Sequence, residues 1–237
     1  MKIHPGRFVY CTAACLLALW LAPVALAGVV LDGTRVIYPS DSRDVTVKVT
    51  NKGKRPVLVQ SWLDKGEENI SPDKIVTPFM LTPPINRIEP EKAQSLRISA
   101  TRVTSLPQDR ESVFWLNVLE IPARPDKARS GENYLQLAVR TRVKLFYRPA
   151  ALKSGAGQAP KSLEWTADSK GLTVSNPTPW HVSLTGVVIN GRETVADMVA
   201  PKGHYTFSTL RVARGSSIRA AWIDDYGARR EQNFTVN

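Results

Sequence analysis

The segment from Tyr134 to Pro149, YLQLAVRTRVKLFYRP, constrains the fold of this chain more than any other. Its odd positions are Leu135, Leu137, Val139, Thr141, Val143, Leu145 and Tyr147, whereas its even positions include Gln136, Arg140, Arg142 and Lys144. Successive strand side chains point to opposite faces, so the alternation predicts a β-strand with one apolar and one polar face. From 134 to 147, at about 3.3 Å per residue, it would run roughly 46 Å, against a usual strand of about 5–6 residues. Such a length exceeds what the core of one small sandwich needs, and the surplus requires a use.

Shorter strand-like runs fill the chain before it. They are Val29 to Tyr38, Val45 to Thr50, Val57 to Trp62, Phe79 to Leu81, Ile85 to Ile88, Ser95 to Ala100 and Ser112 to Ile121. Turn residues separate them, and Pro83-Pro84 rules out a central strand at that point because proline cannot donate to a ladder. About seven strands at this spacing, without cysteines, predict an antiparallel immunoglobulin-like sandwich; a closed β-barrel would show the same periodicity. From Pro149 to Gly157 the composition shifts to Pro, Gly, Ala and Ser, as in an interdomain connection. Strand patterns then resume between Leu163 and Val236, which predicts a second β domain. The expected organisation is a leader at 1–27, a first domain at 28–149 and a second at 150–237.

The leader carries Lys2 and Arg7, an apolar run from Phe8 to Leu21, and Ala25-Leu26-Ala27, the pattern of a cleaved export signal that leaves Gly28 first. The apolar run is short and broken by Pro23, which argues against a membrane anchor, and no membrane insertion is expected of the mature chain. Both cysteines, Cys11 and Cys15, lie in the leader, so the exported part must be held together by its core rather than by disulfides. The formal net charge is +11, or +9 once Lys2 and Arg7 are set aside. The basic residues alternate with apolar ones and form no long run, so a generally basic surface is expected and nucleic-acid binding is not.

Little here resembles catalytic equipment. His181 and His204 are the only histidines after the leader, with no GxSxG elbow, no spaced zinc ligands and no glycine-rich phosphate loop. Glu67-Glu68 and Asp224-Asp225 are adjacent acids, which in a strand point to opposite faces. No catalytic residue, metal or cofactor is expected. The informative polar residues are basic: Lys144, Arg148 four positions on and on the same face by strand parity, and Arg35 in the first run. A single basic residue in a strand is ordinarily a solvated face. A lysine and an arginine converging in a cleft between domains would instead receive a carboxylate.

The run from Leu106 to Ala123, LPQDRESVFWLNVLEIPA, resembles the signature of periplasmic pilus (fimbrial) chaperones. LDGTRVIYPS, LTPPINRIEPEK, RTRVKLFYRPAALK, SNPTPW and IDDYG are similar to that family too, so the resemblance spans nearly the whole exported chain. It implies an all-β protein of two immunoglobulin-like domains set at an angle, acting in the periplasm as a chaperone without enzymatic activity. It would bind pilus subunits that lack a final strand, lend its G strand to fill their groove, and deliver them to an outer-membrane usher. The resemblance assigns the donated side chains to Leu135, Leu137 and Val139, and anchoring of the subunit's C-terminal carboxylate to Arg35 and Lys144. It also assigns an interdomain charge network to Glu111, Arg148 and Asp225, so that Arg148 becomes structural rather than a partner of Lys144. The loop from Pro122 to Tyr134 is of the family's short kind, which goes with rod-like pili. Bare strand edges invite association, so a self-capping homodimer is expected of the subunit-free protein. The alternative is an exported adhesion or carbohydrate-binding module displaying Trp165, Trp180 and Trp222 as a platform.

Overall fold

The protein was analysed as a computed structural model, which describes residues 28–67, 70–123 and 136–237. The leader, Leu135 and most of the loop preceding the long strand fall outside the described residues. Among the described residues nine strands precede the connection: β1 (Val29–Leu31), β2 (Arg35–Pro39), β3 (Asp44–Asn51), β4 (Val57–Asp64), β5 (Phe79–Thr82), β6 (Ile85–Ile88), β7 (Ala93–Ala100), β8 (Ser112–Pro122) and β9 (Val139–Arg148). They form two sheets, ordered β1-β3-β7-β5 and β2-β9-β8-β4-β6. The single run expected from Val29 to Tyr38 is thus two strands in different sheets. Asp32, Gly33 and Thr34 separate them, and the break lets one segment close both sheets of the sandwich.

Strand alternation builds the core between these sheets. Val47, Val49, Leu96 and Ile98 face Val59, Leu116, Val118, Leu145 and Tyr147 across the interior. Tyr38 bridges the layers as well, since its hydroxyl donates to the Arg43 carbonyl at 2.9 Å and accepts from the Ala100 N–H at 2.9 Å.

The connection contains two 3₁₀ segments, Ala150–Leu152 and Ala156–Ser162. Seven strands follow: β10 (Glu164–Asp168), β11 (Gly171–Ser175), β12 (Ser183–Ile189), β13 (Arg192–Val195), β14 (His204–Phe207), β15 (Ser217–Ile223) and β16 (Arg229–Thr235). Their sheets are ordered β10-β11-β14 and β13-β12-β15-β16, around a second core of Trp165, Leu172, Val174, Leu184, Val187, Ile218 and Trp222. Two sandwiches with separate cores are what the interrupted strand pattern predicts. Gly171, at φ +138°, lies so close to β14 that a Cβ there would stand 2.3 Å from the Phe207 carbonyl oxygen, so the β10–β11 turn requires glycine. No helix among the described residues is long and apolar enough to cross a membrane.

Candidate functional site: a basic pair beside an open strand edge

The long strand is flanked unequally. β8 accompanies β9 antiparallel from Val139 to Tyr147, whereas β2 runs parallel to it only from Lys144 to Arg148. Among the described strands, 139–143 is therefore paired on one side only. Within the described residues the strand begins at Val139 rather than Tyr134, and 136–138 carry no strand pairing. Leu137 is 64% exposed and Val139 56%, although both continue the parity of Val143, Leu145 and Tyr147, which are buried. Among the described residues no opposite layer covers them, so they are not core.

The other face of β9 is not a uniformly solvated one. Arg142 is paired with Asp64 at 2.6 Å; the Asp64 side chain is 1% exposed and also accepts from Asn117 Nδ2 at 2.7 Å. The Arg142 guanidinium lies 4.4 Å from the centre of the Trp115 ring, and Lys144 Nζ lies 5.3 Å from it. These neighbours follow from register, because Asn117 sits opposite Arg142 and Trp115 opposite Lys144.

Arg35 and Lys144 are direct partners in the parallel β2–β9 register, so the two cations stand side by side. Arg35 Nη1 donates to the Ile223 carbonyl of the second domain at 2.9 Å, while its Nε is buried with no hydrogen-bond partner. Burial lowers the Arg35 pKa, partly opposed by Asp225 and Asp224. Burial also lowers that of Lys144; Asp197 opposes the shift and the charge of Arg35 adds to it. Like charges held together in a partly desolvated place favour an added anion. A cleft of about 600 Å³ opens beside them between the domains, with Arg35, Phe146, Arg148, His181 and Asp225 in its wall. Lys144 is not part of that wall.

Two residues beyond Phe146 the situation reverses. Arg148 Nε donates to Glu111 Oε1 at 2.6 Å, and its Nη1 lies 2.9 Å from Asp225 Oδ2. Glu111 Oε2 accepts the backbone N–H of His181 at 2.9 Å, and the Glu111 N–H donates to the Pro179 carbonyl at 2.9 Å. Burial alone would raise the Glu111 carboxyl, but hydrogen bonds from His181 and the charge of Arg148 outweigh it and hold it below its ordinary value. Phe146 packs on the His181 ring, with centroids 5.5 Å apart. Glu111, Arg148 and Asp225 thus meet in one seam between the domains.

Trp165 and Trp222 are 1% and 6% exposed in the second core. Trp180 packs against Gly155 and donates its indole N–H to the Leu152 carbonyl at 3.1 Å. The three tryptophans therefore form no exposed platform. Strand parity gave no sign of Asp64, Trp115 and His181 as neighbours of these groups; Trp115 was already in the quoted signature, but its role beside Lys144 depends on the β8–β9 register.

Comparison with known proteins agrees with this architecture. Residues 28–153 match the pili and flagellar-assembly chaperone, PapD N-terminal domain, and 158–234 match the pili assembly chaperone PapD, C-terminal domain. The probable fimbrial chaperone YadV of Escherichia coli K12 is 42% identical over 224 residues, covering 88% of this chain and 90% of that protein. The crystal structure of Pseudomonas aeruginosa CupB2 chaperone is 36% identical with a TM-score of 0.75, covering 88% of this chain and all of that one (100%). A chain of the Salmonella enterica SafA pilin–SafB chaperone complex is 28% identical with a TM-score of 0.76, covering 90% of this chain and 98% of its own. The chain belongs to the pilus-assembly chaperone family.

Proposed function

We propose that this chaperone, exported to the periplasm by its cleaved leader, completes pilus subunits with the start of its long strand and delivers them to an outer-membrane usher. The observation that carries the reading is the juxtaposition of Arg35 and Lys144 where β2 stops covering β9. A subunit strand adding to the open edge of 139–143 gains main-chain hydrogen bonds, and alternate side chains enter its groove. Leu137 and Val139 are the exposed side chains positioned for this, and Leu135 would continue their parity. Burying each aliphatic side chain is worth about 1.5–3 kcal/mol before ordering costs.

The subunit's C-terminal carboxylate would lie between Arg35 and Lys144, relieving their mutual repulsion and satisfying the buried Arg35 Nε. Because β9 places Lys144 at a fixed distance from Val139, that anchor would also set register, and a one-residue slip would turn the apolar set outward. Trp115 braces Lys144 through its ring face. Glu111, Arg148 and Asp225 would fix the angle between the domains and so keep the Arg35 and Ile223 neighbourhood in place. Without a subunit, the open edge would be covered by a second copy of the chain; sizing of the free protein as a monomer at all concentrations would rule this out. The short loop at 122–134 favours rod-like pili as the destination.

The test is co-expression with the pilin genes of its own operon. A stoichiometric periplasmic complex is expected. Subunits that degrade equally with and without the chaperone would overturn the proposal.

A further inference from the structure

We infer that Glu120 is a binding site for the α-ammonium of this chain's own Gly28, formed when the leader is removed. The inference rests on the proposed cleavage after Ala27 and is independent of what the chaperone binds. Glu120 lies in β8, opposite Val139 of β9 and Val59 of β4. Its carboxylate leaves that sheet and reaches β1 in the other one, where Oε2 accepts the Val29 N–H at 2.9 Å. Gly28 is fixed from the opposite side, since its carbonyl accepts the Lys52 N–H at 2.8 Å.

The Glu120 carboxylate lies close against Gly28. An ideal Cβ on Gly28 would fall 2.4 Å and 2.5 Å from the two Glu120 oxygens, so a larger residue there would have to push the flexible carboxylate end aside. The same geometry puts the Gly28 nitrogen within about 5 Å of both oxygens. In the precursor that nitrogen is an amide. Hydrolysis of the Ala27–Gly28 bond by an export peptidase turns it into an ammonium beside a carboxylate that has no other cation partner among the described residues. The resulting ion pair ties the two sheets together at the end of the sandwich from which the open edge of β9 departs.

The test titrates the exported protein labelled with ¹³Cα-glycine, following the Gly28 Cα shift in the wild type and in Glu120→Gln. Glutamine keeps the acceptor for Val29 and removes the charge, so folding is preserved. The expected result is an α-amino pKa about half a unit higher in the wild type than in the variant, against an ordinary range of about 7.7–8.0. A folded-state pKa raised in this way gives stability that is present below the unfolded value and lost as pH rises through the folded one. The denaturation midpoint of the wild type should therefore exceed that of the variant near neutrality and converge with it at about pH 10. Identical titration of the two proteins would overturn the inference, and so would an intact mass showing that the exported chain begins elsewhere than Gly28. Neither readout involves a pilus subunit, so failure of subunit capture leaves this inference standing, and the reverse holds as well.

Discussion

Lys144 and Arg148 occupy the same face of one strand, four residues apart, yet they have opposite surroundings. Arg148 meets two carboxylates, Glu111 at 2.6 Å and Asp225 at 2.9 Å, the second supplied by the other domain. Lys144 meets another cation, Arg35, and the face of an indole. A buried charge with partners holds a structure together; two neighbouring cations short of an anion are prepared for something that arrives. On the proposed reading the contrast separates an architectural basic residue from two receptive ones, and residue type alone could not.

The largest effect should come from breaking the architectural site. Glu111→Ala leaves Arg148 buried with half its partners gone, and should cost about 3–5 kcal/mol in urea denaturation. A loss under about 1 kcal/mol would mean that the seam is a solvated contact. Because the Glu111 carboxyl is held below its ordinary value, its contribution is present above the unfolded pKa of about 4.3 and is lost as pH falls through the lower folded value. Wild type and Glu111→Gln should therefore converge in stability only once the pH has fallen below that lower folded value.

Next in size is the receptive site, where the effect should fall on binding and spare the fold. Lys144→Ala should weaken subunit capture by about tenfold or more, since hydrogen bonds to charged groups contribute about 1.5–3 kcal/mol. Its melting temperature should hold or rise, because a cation beside Arg35 has been removed. A drop in melting temperature comparable with that of Glu111→Ala would erase the distinction between the two sites.

Leu137→Glu extends the comparison to the exposed start of the strand. Capture in pull-down should be lost while stability changes by no more than about 0.5 kcal/mol, as for surface positions. The smallest effect is expected of Trp115→Leu. A cation–π contact is worth about 0.5–1 kcal/mol at exposed sites and about 2 when desolvated, so at this half-buried pair capture should weaken by roughly three- to tenfold, and the loss should disappear when Lys144 is already alanine.

Much of this was legible beforehand, for physical reasons that also mark the limits. Period-two alternation found the strands, because burial between two sheets demands it. It could not say that the alternation continues past the edge of the core, where Leu137 and Val139 obey the same parity as Leu145 while having nothing over them. Parity also placed Lys144 and Arg148 on one face, but the carboxylates that distinguish them arrive from the residue just before β8 and from the turn after β15, contacts with no local signal. The signature containing Glu111 and the Ile223-Asp224-Asp225-Tyr226-Gly227 turn identified those partners only through family resemblance. Gly28 beside Glu120 had no sequence signal, since the contact links positions 92 residues apart in different sheets.

The central claim is that Arg35 and Lys144 together receive a carboxylate. It is tested most directly by measuring capture of one pilus subunit bearing its free C-terminus against the same subunit extended by a few residues. Wild type should retain the free C-terminus at least about tenfold better, in keeping with a charge-assisted anchor. The Arg35→Ala/Lys144→Ala double variant should retain both equally poorly while melting normally. Equal retention of the two subunits by the wild type, or an unchanged preference in the double variant, would contradict the account.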